Sequence, residues 1–136
     1  MNTDLAAQKA LDRLANLGFE KLTEEERIVA TAWLFVAGVS NNGFARYYRS
    51  KRGDLAFNAP AALGAIGAVR LAGIAAEANA VFGVDGPPRE CRSRRSLLKS
   101  LPASALQVFA PLEQRYFDCE DDADALLEKF LSTQKW

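Results

Sequence analysis

Cys91 stands among Arg89, Arg92 and Arg94, and neighbouring cations favour the thiolate form of a cysteine. A nucleophilic thiolate also needs a base to manage its protons, and the chain contains no histidine. That single absence removes Ser/His and Cys/His catalysis, His-ligated metal sites and imidazole acid–base work together. Glu120, Asp121, Asp122 and Asp124 crowd carboxylates together, but the run lacks the glycine and the closing glutamate of an EF-hand loop. No P-loop and no dinucleotide fingerprint occurs either. The expectation is a protein without catalytic residues, cofactor or metal, in which Cys91 and Cys119 are ordinary thiols.

Two patterns are better suited to binding than to catalysis. Phe44, Tyr47 and Tyr48 recur at helical spacing, with Arg46, Arg49 and Arg52 between and after them. Rings beside arginines suit base stacking with phosphate contact, although the same spacing describes a core face with a solvated edge, which is the simpler reading. Further on, Arg92, Arg95 and Lys99 form a charged stripe on a segment whose Leu97, Leu98 and Leu101 are read as facing inward. A basic amphipathic helix can dock on RNA, on anionic lipid or on an acidic protein groove, or simply face water. A further expectation is that the stripe pairs with the acidic run from Asp118 to Asp124, within the fold or in a second copy.

The elements that must position these residues read as helices throughout. Thr3 to Leu17 places Ala7, Ala10, Leu11, Leu14 and Leu17 on one face, and Gly18 stops it. Thr23 and Glu26 have capping-box spacing, so a second helix starts at Glu24 with three glutamates in its first turn. Ser40, Asn41, Asn42 and Gly43 interrupt that helix as a turn. From Asn58 to Gly83 nearly every residue is apolar or small, Arg70, Glu77 and Asn79 being the exceptions. That stretch is read as one buried rod, about Ala59 to Phe82, capped by Asn58, with Gly64, Gly67 and Gly73 letting neighbours approach. Arg70 in its middle would cost about 2.5–3.5 kcal/mol in a bilayer, so the rod is assigned to a protein core and not to a membrane. Val84 to Pro88 is a turn, and Pro102 and Pro111 cut the chain beyond Leu101 into short pieces. A last helix beginning near Asp121 or Asp122 presents Ala123, Leu126, Leu127, Phe130 and Leu131 to the core. Trp136 is read as either a docked cap or a frayed, exposed aromatic, termini favouring the second.

Trp33, the run Asn41, Asn42, Gly43, Phe44 followed by Tyr47 and Tyr48, then Gly53, Leu63 to Gly67 and the helix to Phe82 resemble the DMP19-like domain family. Pro88 with the basic helix after it, and Leu112, Tyr116 and Phe117 before an acidic terminal helix, continue the likeness, from about Thr23 onward. The family typically has Asn-Gly-Gly-Phe where Asn42 replaces the first glycine here, and glutamine where Arg46 stands. The resemblance implies an all-α fold with no recognised catalytic residues. It also implies a role in macromolecular contact, since the family's named member resembles DNA and occupies the DNA-binding face of a transcription factor. Mimicry of that kind needs carboxylates spread across a surface with few cations between them. Here seventeen basic residues balance seventeen acidic ones, and the basic runs oppose the acidic ones.

Length and composition fit one compact domain over residues 1–136: the chain is 49 % hydrophobic and 25 % charged, enough to bury a core without staples. With no bulk charge, any electrostatic function is local. No signal-peptide pattern precedes Leu5, and a cytoplasmic protein is expected. The sequence thus describes an all-α single-domain helical bundle, its N-terminal helix packed on the rest. It is expected to bind another protein through Arg46, Arg49, Arg52, Arg92, Arg95 and Lys99 together with the tip Asn41, Asn42, Gly43 and Phe44. Direct nucleic-acid binding through the same cations is the alternative, and an unrecognised enzyme is a weaker third.

Overall fold

The computed structural model describes residues 3–133, so the expectation for Trp136 lies outside the described residues. The order is α1 (Thr3–Leu17), α2 (Glu24–Arg49), a 3-10 segment (Lys51–Asn58), α3 (Ala59–Ala65), α4 (Val69–Asn79), α5 (Cys91–Ser100), α6 (Ala103–Leu106), α7 (Phe109–Asp118) and α8 (Ala123–Thr133). Short 3-10 turns follow α1 and α4, and no strand occurs among the described residues. The expected all-α class is the observed one.

The organising element is α2, not the alanine-rich stretch. It touches α1, the 51–58 segment, α3, α5, α7 and α8. Its start is local chemistry: Thr23 Oγ1 accepts from Glu26 N–H at 3.1 Å, and Glu26 Oε1 accepts from Thr23 N–H at 3.0 Å. Its length and apolarity, not those of the 59–82 stretch, meet the requirement for a bilayer crossing, yet Val29, Ala32, Phe35 and Val39 are all buried in the core. At Gly43 the backbone turns to φ +78°, ψ 173°, and helix resumes at once. The expected interruption therefore shrinks to one residue. Folding back at that point lays Tyr47 over Gly38, where a Cβ would sit 2.5 Å from the tyrosine ring.

Around this kink the rings of Phe35, Phe44, Tyr47, Tyr48, Phe109 and Tyr116 pack at centroid separations of 5.2–6.4 Å. Pairs in this range add attraction beyond burial alone. The simpler reading of the Phe44, Tyr47, Tyr48 pattern is the correct one. Phe44 is fully buried, and its N–H donates to Glu113 Oε1 of α7 at 2.8 Å.

The expected single rod is broken. α3 ends in a Schellman motif in which Ala68 N–H donates to Leu63 O at 2.8 Å and Gly67 N–H to Gly64 O at 3.0 Å, with Gly67 at φ +90°. Leu63 and Ala68, both buried, provide the apolar contact that accompanies such a stop. Nor is the stretch enclosed all round, for Ala61, Gly64, Ala65, Gly73 and Ala76 are exposed. A Cβ on Gly64 or Gly73 would meet nothing within 4 Å, so neither serves close helix approach. Alanine and glycine present so little apolar area that exposing them costs little. Asn58 is not a side-chain cap either; its Nδ2 donates to the buried Thr31 Oγ1 at 3.1 Å.

The acidic run before α8 caps two helices. Asp122 Oδ1 accepts from Ala125 N–H at 3.1 Å, as expected for a local cap. Asp121 Oδ2 accepts from Arg70 N–H at 2.8 Å and Leu71 N–H at 3.1 Å, closing the first turn of α4 from a distant part of the chain. Arg70 and Glu77 project from α4 into ion pairs with Glu120 at 3.1 Å and Arg115 at 2.7 Å.

Candidate interaction surface

Where α2 ends, α5 is pinned against it by one side chain. Arg94 is completely buried. Its Nε donates to Tyr48 O at 2.8 Å, one terminal nitrogen to Pro88 O and Arg89 O at 2.9 and 2.6 Å, and the other to Ser50 O and Asp54 Oδ1 at 2.8 and 2.6 Å. The carbonyls at a helix C-terminus carry partial negative charge and lack intrahelical partners, and the planar guanidinium satisfies several at once. Gly53 completes the joint: a Cβ there would lie 2.6 Å from Tyr47 O and 3.3 Å from Arg94 Nε. Sequence reading placed Arg94 only as a neighbour of Cys91. A signal was present, since Arg94 falls on the same helical face as Leu98 and Leu101.

With Arg94 and Leu98 turned inward, Arg92, Arg95, Ser96 and Lys99 occupy the outer face of α5 at i, i+3, i+4 and i+7. Across from them lie Arg49, the last residue of α2, and Lys51. Together with Cys91 these residues line an open groove of about 680 Å³. Cys91 Sγ donates to Arg49 O at 3.1 Å, bridging the two walls.

The cations divide into two populations. Arg13, Arg27, Arg70, Arg89, Arg94 and Arg115 each have a carboxylate partner. Among the described residues, Arg49, Lys51, Arg92, Arg95 and Lys99 have no carboxylate within 4.0 Å, and neither do Arg46, Arg52, Lys9, Lys21 and Lys129. The expected pairing of the α5 stripe with the acidic run does not form within the chain. The run is held by Arg70 instead. α4 explains the separation: its N-terminal end bonds Asp121, while Asn79 at its other end accepts from Tyr48 Oη at 2.7 Å, one residue before Arg49. Nine residues of helix rise about 14 Å, more than the Debye length of about 8 Å at physiological salt.

Of the expected surface, Arg49, Arg92, Arg95 and Lys99 come together in the groove. Arg46 and Arg52 are exposed but lie outside its lining, and Asn41 and Asn42 are exposed at the kink. Gly43 is half-buried with Glu113 Oε1 2.6 Å from where a Cβ would be. Phe44 has no place on the surface, because a fully buried ring anchored to α7 offers nothing to a partner. Lys51 and Ser96 are additions to the groove that the sequence did not single out. Lys51 was legible as the first cation beyond the end of α2.

A family model for DMP19-like protein matches residues 20–134. Searches of curated proteins and of solved structures give no significant match.

Proposed function

Because the chain belongs to the DMP19-like family, we propose that it is a non-catalytic interaction domain whose α2/α5 groove binds an acidic surface of another protein. One observation supports this most directly: five groove cations lack a counter-ion among the described residues, in a molecule whose other arginines mostly have one. Gathering like charges raises the local potential, and an acidic partner lowers it. Four of these cations stand on α2 and α5 and the fifth, Lys51, opens the 3-10 segment after α2. The buried Arg94 joins these elements, so the cations are held before the partner arrives, which reduces the ordering cost of binding.

Direct nucleic-acid binding would use the same cations. The rings that would stack on bases are unsuited to it, since Phe44, Tyr47 and Tyr48 are all at most 1 % exposed. DNA mimicry has less support than either, because Arg70 neutralises Glu120 and Asp121, and Asp122 is engaged in a cap.

The test is affinity capture from nuclease-treated cytoplasm with the wild type and an Arg92→Glu, Arg95→Glu, Lys99→Glu variant. Acidic proteins retained by the wild type and lost by the variant are the expected result. Identical recoveries would remove the groove from consideration, and partners that vanish on nuclease treatment would favour the nucleic-acid reading. Salt adds a second discriminator, since nucleic-acid association weakens steeply as salt rises.

A further inference from the structure

The basic groove does not end at Lys51. That residue also lines a second, apolar groove between α1 and the 51–58 segment, whose walls are Leu11, Leu14, Phe19, Leu34, Leu55 and Phe57. Its volume is about 490 Å³, enough for a few large side chains. Its floor is rigid. The Phe19 and Phe57 rings meet edge to face at 5.4 Å, and Arg89 lies 4.0 Å over Phe57 while pairing with Glu20 at 2.8 Å. Asp54, which lines the apolar groove, is the residue that Arg94 clamps from the α5 side. The two grooves therefore share a wall and a mechanical support.

Resting on the reading of the basic groove as a protein-binding site, we propose that the partner segment is bipartite. It carries a run of carboxylates beside a short cluster of large apolar or aromatic side chains. The carboxylates lie against Arg49, Arg92, Arg95 and Lys99, and the apolar cluster enters the adjoining groove past Lys51. Charge complementarity selects the first half and continuity at Lys51 locates the second. A purely acidic ligand leaves the apolar groove open to water, and a purely apolar one leaves the cations without counter-ions. A single-stranded nucleic acid would offer phosphates to the first half, but the two rings of the second, Phe19 and Phe57, are packed edge to face on each other with Arg27 and Arg89 over them, and its remaining apolar walls are aliphatic and offer no stacking surface.

The experiment is fluorescence anisotropy with three labelled peptides: hexaglutamate, a Gly/Ser-flanked Leu-Phe-Trp-Leu, and the two joined. The joined peptide is expected to bind about tenfold or more tightly than hexaglutamate, the gain that burying one large apolar side chain supplies. Ala15→Gln, at an exposed lining position of the apolar groove, should abolish that gain without altering hexaglutamate binding or thermal unfolding. Arg92→Glu with Arg95→Glu should weaken both acidic peptides. Equal affinity for hexaglutamate and the joined peptide, or a gain that survives Ala15→Gln, would overturn the bipartite segment and leave the basic groove standing. Failure of both acidic peptides to bind at low salt would remove the basic groove as well. Tighter binding of oligodeoxythymidylate than of the joined peptide would overturn the proposal in favour of nucleic acid.

Discussion

Arg94 donates to Asp54 Oδ1 at 2.6 Å from a side chain that has no contact with solvent. The acceptor is half-exposed while the donor is wholly buried, so the pair differs from an enclosed ion pair. Most of the burial cost falls on the cation, and the carbonyls of Tyr48, Ser50, Pro88 and Arg89 offset it along with the carboxylate. The same atoms cap the end of α2, hold the Pro88–Arg89 turn and seat α5.

Removing Arg94 leaves several buried acceptors without donors, so Arg94→Ala should destabilise the fold by about 3–5 kcal/mol. Arg94→Lys should lose most of this as well, because one ammonium cannot reproduce a planar fork. Arg92→Ala and Arg95→Ala, on the exposed side of the same helix, should stay within about 0.5 kcal/mol of wild type. Urea unfolding followed by far-UV circular dichroism measures all four. Equal losses at positions 92 and 94 would contradict the assignment of Arg94 as the joint.

Adjacent tyrosines should respond differently to the loss of their hydroxyls. Tyr48 Oη donates to Asn79 Oδ1 at 2.7 Å, and Asn79 Nδ2 donates to Ala56 O at 2.8 Å, so Tyr48→Phe strands an amide oxygen and should cost about 1–3 kcal/mol. Tyr47 Oη is buried with no hydrogen-bond partner among the described residues, and burial pushes its ionisation well above the ordinary tyrosine range. Tyr47→Phe deletes a desolvated hydroxyl and keeps the ring, so stability should be unchanged or higher. Thermal melts of the two variants side by side decide the matter, and a loss at Tyr47 as large as at Tyr48 would count against it.

Stability should fall in acid partly through Glu26. Burial of its carboxyl opposes ionisation, but the Thr23 N–H and Arg13 outweigh it, and the net shift is below the ordinary glutamate value of 4.5. A carboxyl lowered in the folded state contributes fully above the unfolded value and loses that contribution as pH falls through the folded one. Glu26→Gln should therefore cost about 1 kcal/mol near neutrality and progressively less below pH 4.5. Chemical denaturation of both proteins from pH 7 to pH 3 tests this, and a constant difference across that range would contradict it.

What the amino-acid order determined by itself was local. Gly18, the Thr23/Glu26 box, the interruption at Gly43 and the Asp122 cap each depend on groups a few residues apart, and each could be read directly. The all-α class and the core role of Tyr47 and Tyr48 came from apolar spacing. Only the tertiary structure decided which helix lies at the centre. Alanine and glycine gain so little from burial that an apolar run of them does not distinguish an enclosed rod from two half-exposed helices, and the stop at Gly67 depends on Leu63 and Ala68 being packed. The fate of each arginine was likewise out of reach. Arg94 and Arg95 are neighbours of one type, yet carbonyls more than forty residues away in sequence draw the first inside and leave the second facing an open groove.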